Sequence, residues 1–227
     1  MVKRVALDGA AEKAAPPRRG GRPSREEAAL LRDRILDVAT ELFLAQGYGA
    51  TSIEAVAQAA RISKRTFYHR FPDKAALFEA VVHRIIDGLR PPAGTPIYDE
   101  GSLEDVLQRV ARLALRAALT PMAVALNRLM VAEAQRFPEL AAIAAREGSR
   151  AAAVDSIAAL LAREAQAGRL TLDRPQFAAA QFLEIVLALP QRRAFGLGQK
   201  LTEAELEIWA LDCVNLFLNG CRSWKPG

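Results

Sequence analysis

The chain has 227 residues, a formal net charge of +5 and 51% hydrophobic residues, which is enough for one large or two small domains with a real core. It has no apolar run of about 18 residues and no apolar segment behind its basic start, so we expect neither a membrane span nor an export signal. Cys213 and Cys221 lie eight residues apart on one predicted helix, about 12 Å along its axis and too far for a disulfide. Reduced thiols are typical of a cytoplasmic protein, and we expect this location.

The excess positive charge is confined to the first part of the chain. Residues 1–90 hold 16 Lys and Arg against 11 Asp and Glu, a net of +5, whereas residues 91–227 hold 15 of each. Residues 1–24 have no apolar period and are rich in Pro, Gly and Arg, which predicts a disordered basic arm. The asymmetry indicates an anionic partner for the N-terminal part, either nucleic acid or a membrane surface. A merely solvated basic face is the alternative.

Four helices are predicted between the arm and residue 90. The first has the apolar stripe of an amphipathic helix and ends before Gly47, a natural left-handed stop. Ser63 caps the third, and Pro72 ends it because the residue before a proline is pushed out of helical space. The predicted ranges are about 25–46, 52–59, 63–70 and 73–89, with a three-residue turn at 60–62.

Only helices are predicted in the second half. The segment PPAGTP at 91–96 cannot be helical and predicts a linker. Beyond it the predicted helices cover about 102–119, 121–136, 139–167, 176–189 and 203–219. Capping boxes open the first and the last of these, Gly168 closes the third, and Pro190 ends the fourth. No segment has a convincing strand pattern, so we predict an all-α fold.

Residues 62–71, ISKRTFYHRF, combine four basic or potentially basic side chains with three aromatic ones. Helical spacing turns Phe67 and Phe71 inward. The outward face carries Lys64, Arg65, Tyr68 and His69. A helix, a three-residue turn and a basic second helix form the helix-turn-helix pattern, whose second helix enters the major groove of DNA. The outward donors suit phosphate oxygens and purine edges, so we predict DNA binding, with a basic look-alike inside a bundle as the alternative.

The chain contains, in order, the motifs GRPS, ATELFLAQGYGATS and IEAVAQAARISKRTFYHRFPDKAALFEAVV. The likeness that they carry runs without gaps over residues 22 to about 85. These motifs resemble the DNA-binding domain of the TetR family of transcriptional regulators. The second half, with RLMVAEAQRFPELAAIAAREG and a last helix ending LFLNGC, resembles the AefR-like branch. The resemblance implies an N-terminal three-helix helix-turn-helix domain with a connecting helix at 25–90. It is joined to a C-terminal helical bundle at 97–222 that binds an effector and dimerises.

The same resemblance implies a function. A homodimer would bind a pseudo-palindromic double-stranded DNA operator and repress transcription. A small effector would release it by moving helices and spoiling the spacing of the two recognition helices.

The resemblance also assigns DNA contacts. The residues that match the recognition helix are Lys64, Arg65, Thr66, Tyr68 and His69. Thr51 and Ser52 match positions that meet phosphate through helix N-terminal amides, and Lys74 matches a phosphate contact at the start of the fourth helix. Relatives often have glycine where this chain has Arg61 and Arg65. Arg61 must then accept a strained or slightly different turn, at a cost of about 1 kcal/mol.

Three further sets of residues are candidates. In the arm, Arg22 with Arg18 and Arg19 could follow the minor groove, with a solubilising tail as the alternative. For a small, largely apolar effector, the candidate pocket residues are Met122, Leu126, Asn127, Met130 and Phe137, each of which plain packing would also explain. The last two helices are apolar on more than one face, which indicates either a subunit interface or a fully interior position. The candidate interface residues are Phe182, Ile185, Val186, Leu189, Trp209, Cys213, Leu216 and Phe217.

Signs of catalysis are missing from the sequence. His69 lies on the DNA face, and His83 has no metal-binding motif around it. We find no phosphate-cradling glycine loop, nucleophile elbow or metal-ligand spacing, so we predict no enzyme, no metal and no cofactor. The rival function is a helical protein that binds anionic membranes, or DNA without sequence preference. Membrane anchoring uses a long amphipathic span, whereas these basic residues follow a tight turn, so we predict no membrane partner.

Overall fold

A computed structural model describes residues 25–91, 95, 97–98, 101–147 and 149–223 of the chain. The predicted arm at 1–24, which includes Arg22, lies outside these residues. The described part contains ten α-helices and no strand, as the all-α prediction requires. The helices are α1 Arg25–Gln46, α2 Ile53–Ala59, α3 Lys64–Tyr68, α4 Lys74–Leu89, α5 Leu103–Ala118, α6 Pro121–Glu133, α7 Pro138–Glu147, α8 Ser149–Gln166, α9 Pro175–Ala194 and α10 Glu203–Ser223.

Most predicted helix starts are confirmed by side-chain caps. Ser102 and Asp105 form the predicted capping box of α5, in which each side chain accepts a hydrogen bond from the other residue's backbone amide. At α10 the Glu205 carboxylate accepts from the Thr202 amide at 2.8 Å, and the Thr202 hydroxyl accepts from the Glu205 amide at 3.3 Å. Such caps satisfy amides that have no partner inside the helix and contribute about 1 kcal/mol each.

Helices α1 to α4 enclose an aromatic core. Phe43 of α1 meets Phe78 of α4 edge-on at 5.2 Å between ring centroids, and Tyr48 stacks on Phe43 at 5.7 Å. Phe67 is 0% exposed and Phe71 is 3% exposed, which confirms the predicted inward face of the third helix. Helix α3 is therefore fixed to its support by aromatic packing on one side only.

The N-terminal core continues past the predicted boundary at residue 90. Leu129 of α6 and Leu140 and Ile143 of α7 are buried in the same cluster as the residues of α1 to α4. Helix α7 packs against α4, whereas α8 packs against α9. The single helix predicted over about 139–167 is thus replaced by two elements on either side of residue 148, which lies outside the described residues. A continuous apolar period does not reveal that its two ends face different cores.

The second core lies between α5, α8, α9 and α10. Its most deeply buried large side chains are Leu107, Ile157, Leu161, Phe182 and Val214. Phe182 and Phe217 pack with ring centroids 5.1 Å apart and join α9 to α10. The buried residues of α6 and α7 belong to the first core, and α6 also packs against α5 of the second.

Helix α9 does not end at Pro190, as predicted, but continues to Ala194 with the proline inside it. A proline at this position removes the amide that would donate to the Val186 carbonyl. The indole Nε1 of Trp209, on α10, donates to that carbonyl at 2.8 Å. The prediction of a helix end was wrong because a donor from the neighbouring helix replaces the missing one.

Candidate nucleic-acid interface

Helix α2 ends in a left-handed turn at Arg61. The φ angle of Arg61 is +54°. Its amide donates to the Gln58 carbonyl at 3.0 Å, and the Ile62 amide donates to the Ala57 carbonyl at 2.9 Å. These two bonds are the Schellman pattern, which normally places glycine at the left-handed position. The strained turn expected at Arg61 is therefore confirmed, and it sets the angle between α2 and α3.

Helix α3 presents the predicted basic face to the outside. Ser63 caps the helix and its hydroxyl accepts from the Thr66 amide at 3.1 Å. Thr66 itself is half-buried. The exposed side chains of the helix and its end are Lys64, Arg65, Tyr68 and His69. The Tyr68 ring stands edge-on against the buried Phe67 at 5.6 Å, so its hydroxyl is carried outward on a fixed base.

Lys64 is paired with an acidic residue that sequence reasoning did not assign to the interface. Its ammonium lies 2.5 Å from the Glu54 carboxylate in the first turn of α2. The hydrogen bond between them lowers the pKa of Glu54 and raises the pKa of Lys64. Both side chains are more than half exposed, so the pair adds little stability. Its effect is to orient Lys64 across the two helices.

A groove between α1 and α3 adds two arginines to the basic surface. The groove encloses about 940 Å³ and is lined by Ala28, Leu31, Arg32, Arg65, Thr66, Tyr68, His69 and Arg70. Arg70 donates to the Ala28 carbonyl at 2.9 Å, and Arg32 lies 5.8 Å from the Phe71 ring centroid. Neither arginine was predicted as a site residue: α1, which carries Arg32, reads from sequence as a support helix, and Arg70 was not placed on the outward face of the third helix. A guanidinium group in such a groove can donate two parallel hydrogen bonds to the oxygens of one phosphate.

The start of α2 combines a cap with a buried threonine. Ser52 is the N-cap, and its hydroxyl accepts from the Ala55 amide at 3.0 Å. Thr51 is 1% exposed and donates to the Gly47 carbonyl at 2.7 Å. The Thr51 side chain is therefore occupied inside the fold. The predicted phosphate contact at Thr51 and Ser52 concerns backbone amides and stays a prediction.

Lys74 has a structural role that the sequence did not predict. Its ammonium donates to the Tyr48 carbonyl at 2.9 Å and to the Gly49 carbonyl at 3.4 Å. It also lies 4.4 Å above the Tyr48 ring centroid. Lys74 thus holds the turn between α1 and α2, and its predicted phosphate contact stays a prediction. Helical spacing could not show this, since the turn is 25 residues away in sequence.

The same turn packs against the C-terminal half. Tyr48 is 2% exposed and donates to the Glu139 carboxylate at 3.2 Å. Burial, and then the Glu139 carboxylate, raise the pKa of Tyr48. The Gly49 amide donates to Glu133 at 2.7 Å. These contacts join the end of α6 and the start of α7 to the residues that precede α2.

A cavity of about 370 Å³ lies between α4, α5, α6 and α9. Three of the predicted effector residues line it, namely Leu126, Asn127 and Met130. The rest of the lining is Val82, Ile85, Ile86, Leu89, Ala114, Ala117, Ala118, Ala123, Ala144, Arg150, Leu183, Leu187 and Gln191. The walls from α4 were missed because their apolar stripe reads equally well as ordinary core. The cavity suits an apolar molecule with a few polar groups.

Two predicted effector residues do not line this cavity. Met122 is 40% exposed at the start of α6. Phe137 packs edge-on against Tyr48, with ring centroids 5.0 Å apart. Phe137 follows the end of α6 at Glu133 and packs toward the helix-turn-helix, and Met122 lies at the exposed start of the same helix, so a role in effector binding stays a prediction for both.

The predicted interface residues on α9 and α10 fall into two groups. Phe182 and Val186 are 0% exposed, so they belong to the core of a single chain and their assignment to a subunit interface was wrong. Cys213 and Phe217 are 5% and 8% exposed and are nearly as well covered. An all-round apolar helix fits an interior position as well as an interface, and sequence alone does not separate the two.

The other predicted interface residues remain open to a partner. Leu216 is 67% exposed, while Ile185, Leu189 and Trp209 are half-buried. Two further apolar side chains are exposed on the same helices, Phe177 at 52% and Ile208 at 58%. Exposed large apolar side chains on adjacent helices form the kind of surface that association covers.

Neither a metal site nor a membrane span was found in the described part of the chain. No group of three or more His, Cys, Asp and Glu there could hold a metal ion. No single helix among those residues is long and apolar enough to cross a membrane. One pair, α5 and α6, bent by 71°, passes a test of length and composition only.

Both halves of the chain match known protein families. Residues 35–81 match the family of bacterial regulatory proteins named after TetR. Residues 105–220 match the C-terminal domain of AefR-like transcriptional repressors. Together these matches cover the helix-turn-helix and all helices from α5 to α10.

Individual relatives agree with this placement. An HTH-type transcriptional regulator from Mycobacterium tuberculosis is 39% identical over 82 residues, which span 36% of this chain and 38% of that protein. The HTH-type transcriptional activator FasR of Mycolicibacterium smegmatis is 38% identical over 72 residues, 32% of either chain. The alignments to these curated relatives thus span only about a third of their length. The flavonoid-responsive regulator FrrA has a similar structure, with a TM-score of 0.71 and 32% identity over 87% of this chain and 100% of its own.

Proposed function

Because the chain belongs to the TetR family of bacterial transcriptional regulators, we propose that it binds a DNA operator as a homodimer and represses transcription until a small effector enters the α4–α6 cavity. The observation that supports this most directly is helix α3, whose aromatic side is buried and whose basic side is exposed. Members of this family are DNA-binding regulators and not enzymes. The repressor assignment follows the AefR-like match, although FasR is an activator.

In this proposal α3 lies in the major groove and reads base edges. Arg65 and Lys64 are the candidates for guanine, since they carry donors that match its O6 and N7 acceptors. Tyr68 and His69 reach the adjacent bases or phosphates from the next turn of the helix. The amides at the start of α2 and the guanidinium groups of Arg32 and Arg70 meet the flanking phosphates.

Selection of bound sequences from random duplex DNA tests the DNA-binding part. We expect an enriched inverted repeat, because two copies of α3 related by a two-fold axis read the same half-site. Arg65→Ala should weaken binding to that repeat by about 10-fold or more and relax the preference at one base position. Arg163→Ala, which removes an equal charge from the exposed face of α8, serves as the control. Recovery that depends on salt alone would contradict a sequence-specific regulator.

A liposome-binding assay distinguishes DNA binding from the rival membrane-binding function. Anionic vesicles should be displaced by duplex DNA if the basic face serves nucleic acid. Binding to vesicles that persists in excess DNA would favour the membrane function instead.

The cavity suggests the chemistry of the effector. Its walls are mainly aliphatic, Asn127 and Gln191 supply amide groups, and Arg150, which pairs with Glu184, supplies a guanidinium group. We propose a compact, largely apolar molecule with one or two hydrogen-bonding groups. Since FrrA is flavonoid-responsive and shares this architecture, flavonoids are the first compounds to screen.

Release of a labelled operator is the readout for the effector. A compound that acts through the cavity should release wild-type protein but not a Met130→Trp variant, whose larger side chain fills the space. Asn127→Ala should change the effector concentration that is needed to release the operator. Equal release of the Met130→Trp variant would contradict a site in this cavity.

The dimer is proposed to form through the exposed side of α9 and α10. Leu216, Ile208 and Phe177 would be covered there by the same residues of a second chain. Leu216→Glu should raise the dimer dissociation constant by at least about 10-fold, because it buries a charge in an apolar contact. Sedimentation at micromolar concentration measures it. A wild-type monomer under those conditions would contradict the dimer.

A further inference from the structure

The turn between α1 and α2 is in direct contact with the end of α6. The Gly49 amide donates to the Glu133 carboxylate at 2.7 Å, across 84 residues of sequence. Phe137, just beyond α6, packs on Tyr48 from the same side. Three residues after Gly49, Ser52 caps α2 and begins the helix-turn-helix. A group from the cavity-bearing half thus touches the chain just before the DNA-binding element.

The two glycines beside Tyr48 leave no space at this contact. A Cβ atom on Gly49 would lie 3.0 Å from the Phe137 ring and 3.3 Å from the Glu133 carboxylate. Gly47 has a φ angle of +89°, and a Cβ there would collide with the Glu133 carboxylate. The backbone of the turn is therefore in direct contact with Glu133, with no room between them for even a methyl group.

We propose that Glu133 is a positioning residue for DNA recognition, which holds the Gly49 amide and thereby fixes the start of α2 against the C-terminal half. The inference rests on the proposed DNA-binding function. Helix α2 carries Glu54, which pairs with Lys64 of α3, so a displacement of α2 reaches the recognition helix. The contact therefore acts on the placement of α3.

The same helix also lines the cavity. Leu126 and Met130 face the cavity from α6, and Glu133 follows Met130 by three residues in the last turn of that helix. An occupant that shifts α6 moves Glu133 with it, since a packed helix moves as a rigid element. Glu133 thus links occupancy of the cavity to the position of α2 through its hydrogen bond with the Gly49 amide.

Because Glu133 is negatively charged, the direction in which its removal changes DNA affinity distinguishes two explanations. An acidic side chain repels the DNA backbone, so its removal by itself should strengthen binding. Loss of a positioning contact should weaken binding. The two effects have opposite signs, and the direction of the change distinguishes them.

The test measures the affinity for the selected operator by fluorescence anisotropy. Glu133→Ala should weaken binding about 10-fold, the effect of losing a hydrogen bond to a charged group. Glu133→Gln keeps an acceptor for the Gly49 amide and should bind as tightly as wild type or more tightly. Asp173→Ala, an exposed carboxylate in the turn before α9, is the charge-matched control and should bind slightly more tightly. Thermal unfolding followed by circular dichroism shows that each variant is folded.

A second pair of variants changes no charge and covers the case in which Glu133→Ala fails to fold. Gly49→Ala forces Phe137 and Glu133 away and should weaken operator binding about 10-fold. Gly88→Ala, a helical glycine with nothing within 4 Å of the added Cβ, should leave binding within about twofold.

Either of two results overturns the inference. One is Glu133→Ala binding as tightly as Asp173→Ala, and the other is Glu133→Gln binding as weakly as Glu133→Ala. If wild-type protein binds its operator and one of these results is obtained, only the role of Glu133 fails. If wild-type protein enriches no sequence, the proposed function fails and this inference falls with it.

Discussion

Trp209 should be worth more to stability than its size suggests, because it replaces a backbone donor that Pro190 removes. The Val186 carbonyl belongs to a fully buried residue, and the Trp209 indole donates to it at 2.8 Å. Trp209→Phe leaves this acceptor without that donor, which costs about 1–3 kcal/mol, and the smaller ring loses some packing. We expect the free energy of unfolding to fall by about 2 kcal/mol.

A double-mutant cycle isolates the hydrogen bond from the packing. In Pro190→Ala the new backbone amide can donate to the Val186 carbonyl, so Trp209→Phe should cost about 1 kcal/mol less in that background. Urea unfolding at fixed protein concentration measures all four proteins. Phe217→Leu, a core change on α10 without a polar group, should be additive with Pro190→Ala. If Trp209→Phe is also additive within about 0.5 kcal/mol, the replacement of the proline's missing donor by the indole is refuted.

Three shorter predictions concern the helix-turn-helix and the capping carboxylates. Glu54→Gln should release Lys64 and remove a negative charge, which raises affinity for random duplex DNA and lowers the ratio of operator to random binding in anisotropy titrations. The hydrogen bond from Ser102 holds the pKa of Asp105 below its ordinary value, so the cap stabilises the fold at neutral pH and this contribution is lost as the pH falls through the folded pKa. Asp105→Asn should therefore make the melting temperature fall less steeply on the acid side of its pH profile. An unchanged slope would contradict this. Arg61→Gly should raise stability by about 1 kcal/mol by relieving the left-handed turn, measured by urea unfolding, and weaken operator binding at low salt.

Sequence patterns predict the all-α fold and the outward face of α3 because both depend on local periodicity. Phe67 must turn inward if the helix is to pack, and this leaves Lys64, Arg65 and Tyr68 outside. The role of Lys74 was out of reach, since its partners are set by how α1 and α4 fold together. Likewise, Phe182 has the same pattern whether its cover is its own chain or a second one.

Pro190 lies inside a helix and Arg61 has a left-handed backbone, both of which are unfavourable for these residue types. The fold compensates the first but not the second. At Pro190 the neighbouring helix supplies a donor, so the cost of a proline inside a helix is met within the core. At Arg61 the left-handed backbone is strained, and in the described part of the chain its exposed side chain makes no hydrogen bond or ion pair that would offset the strain. A strained residue that the protein's own contacts do not compensate, directly before the recognition helix, is where a contact with a partner would offset it. A guanidinium at that position suits a DNA phosphate, so we predict such a contact, and the Arg61→Gly titration tests it.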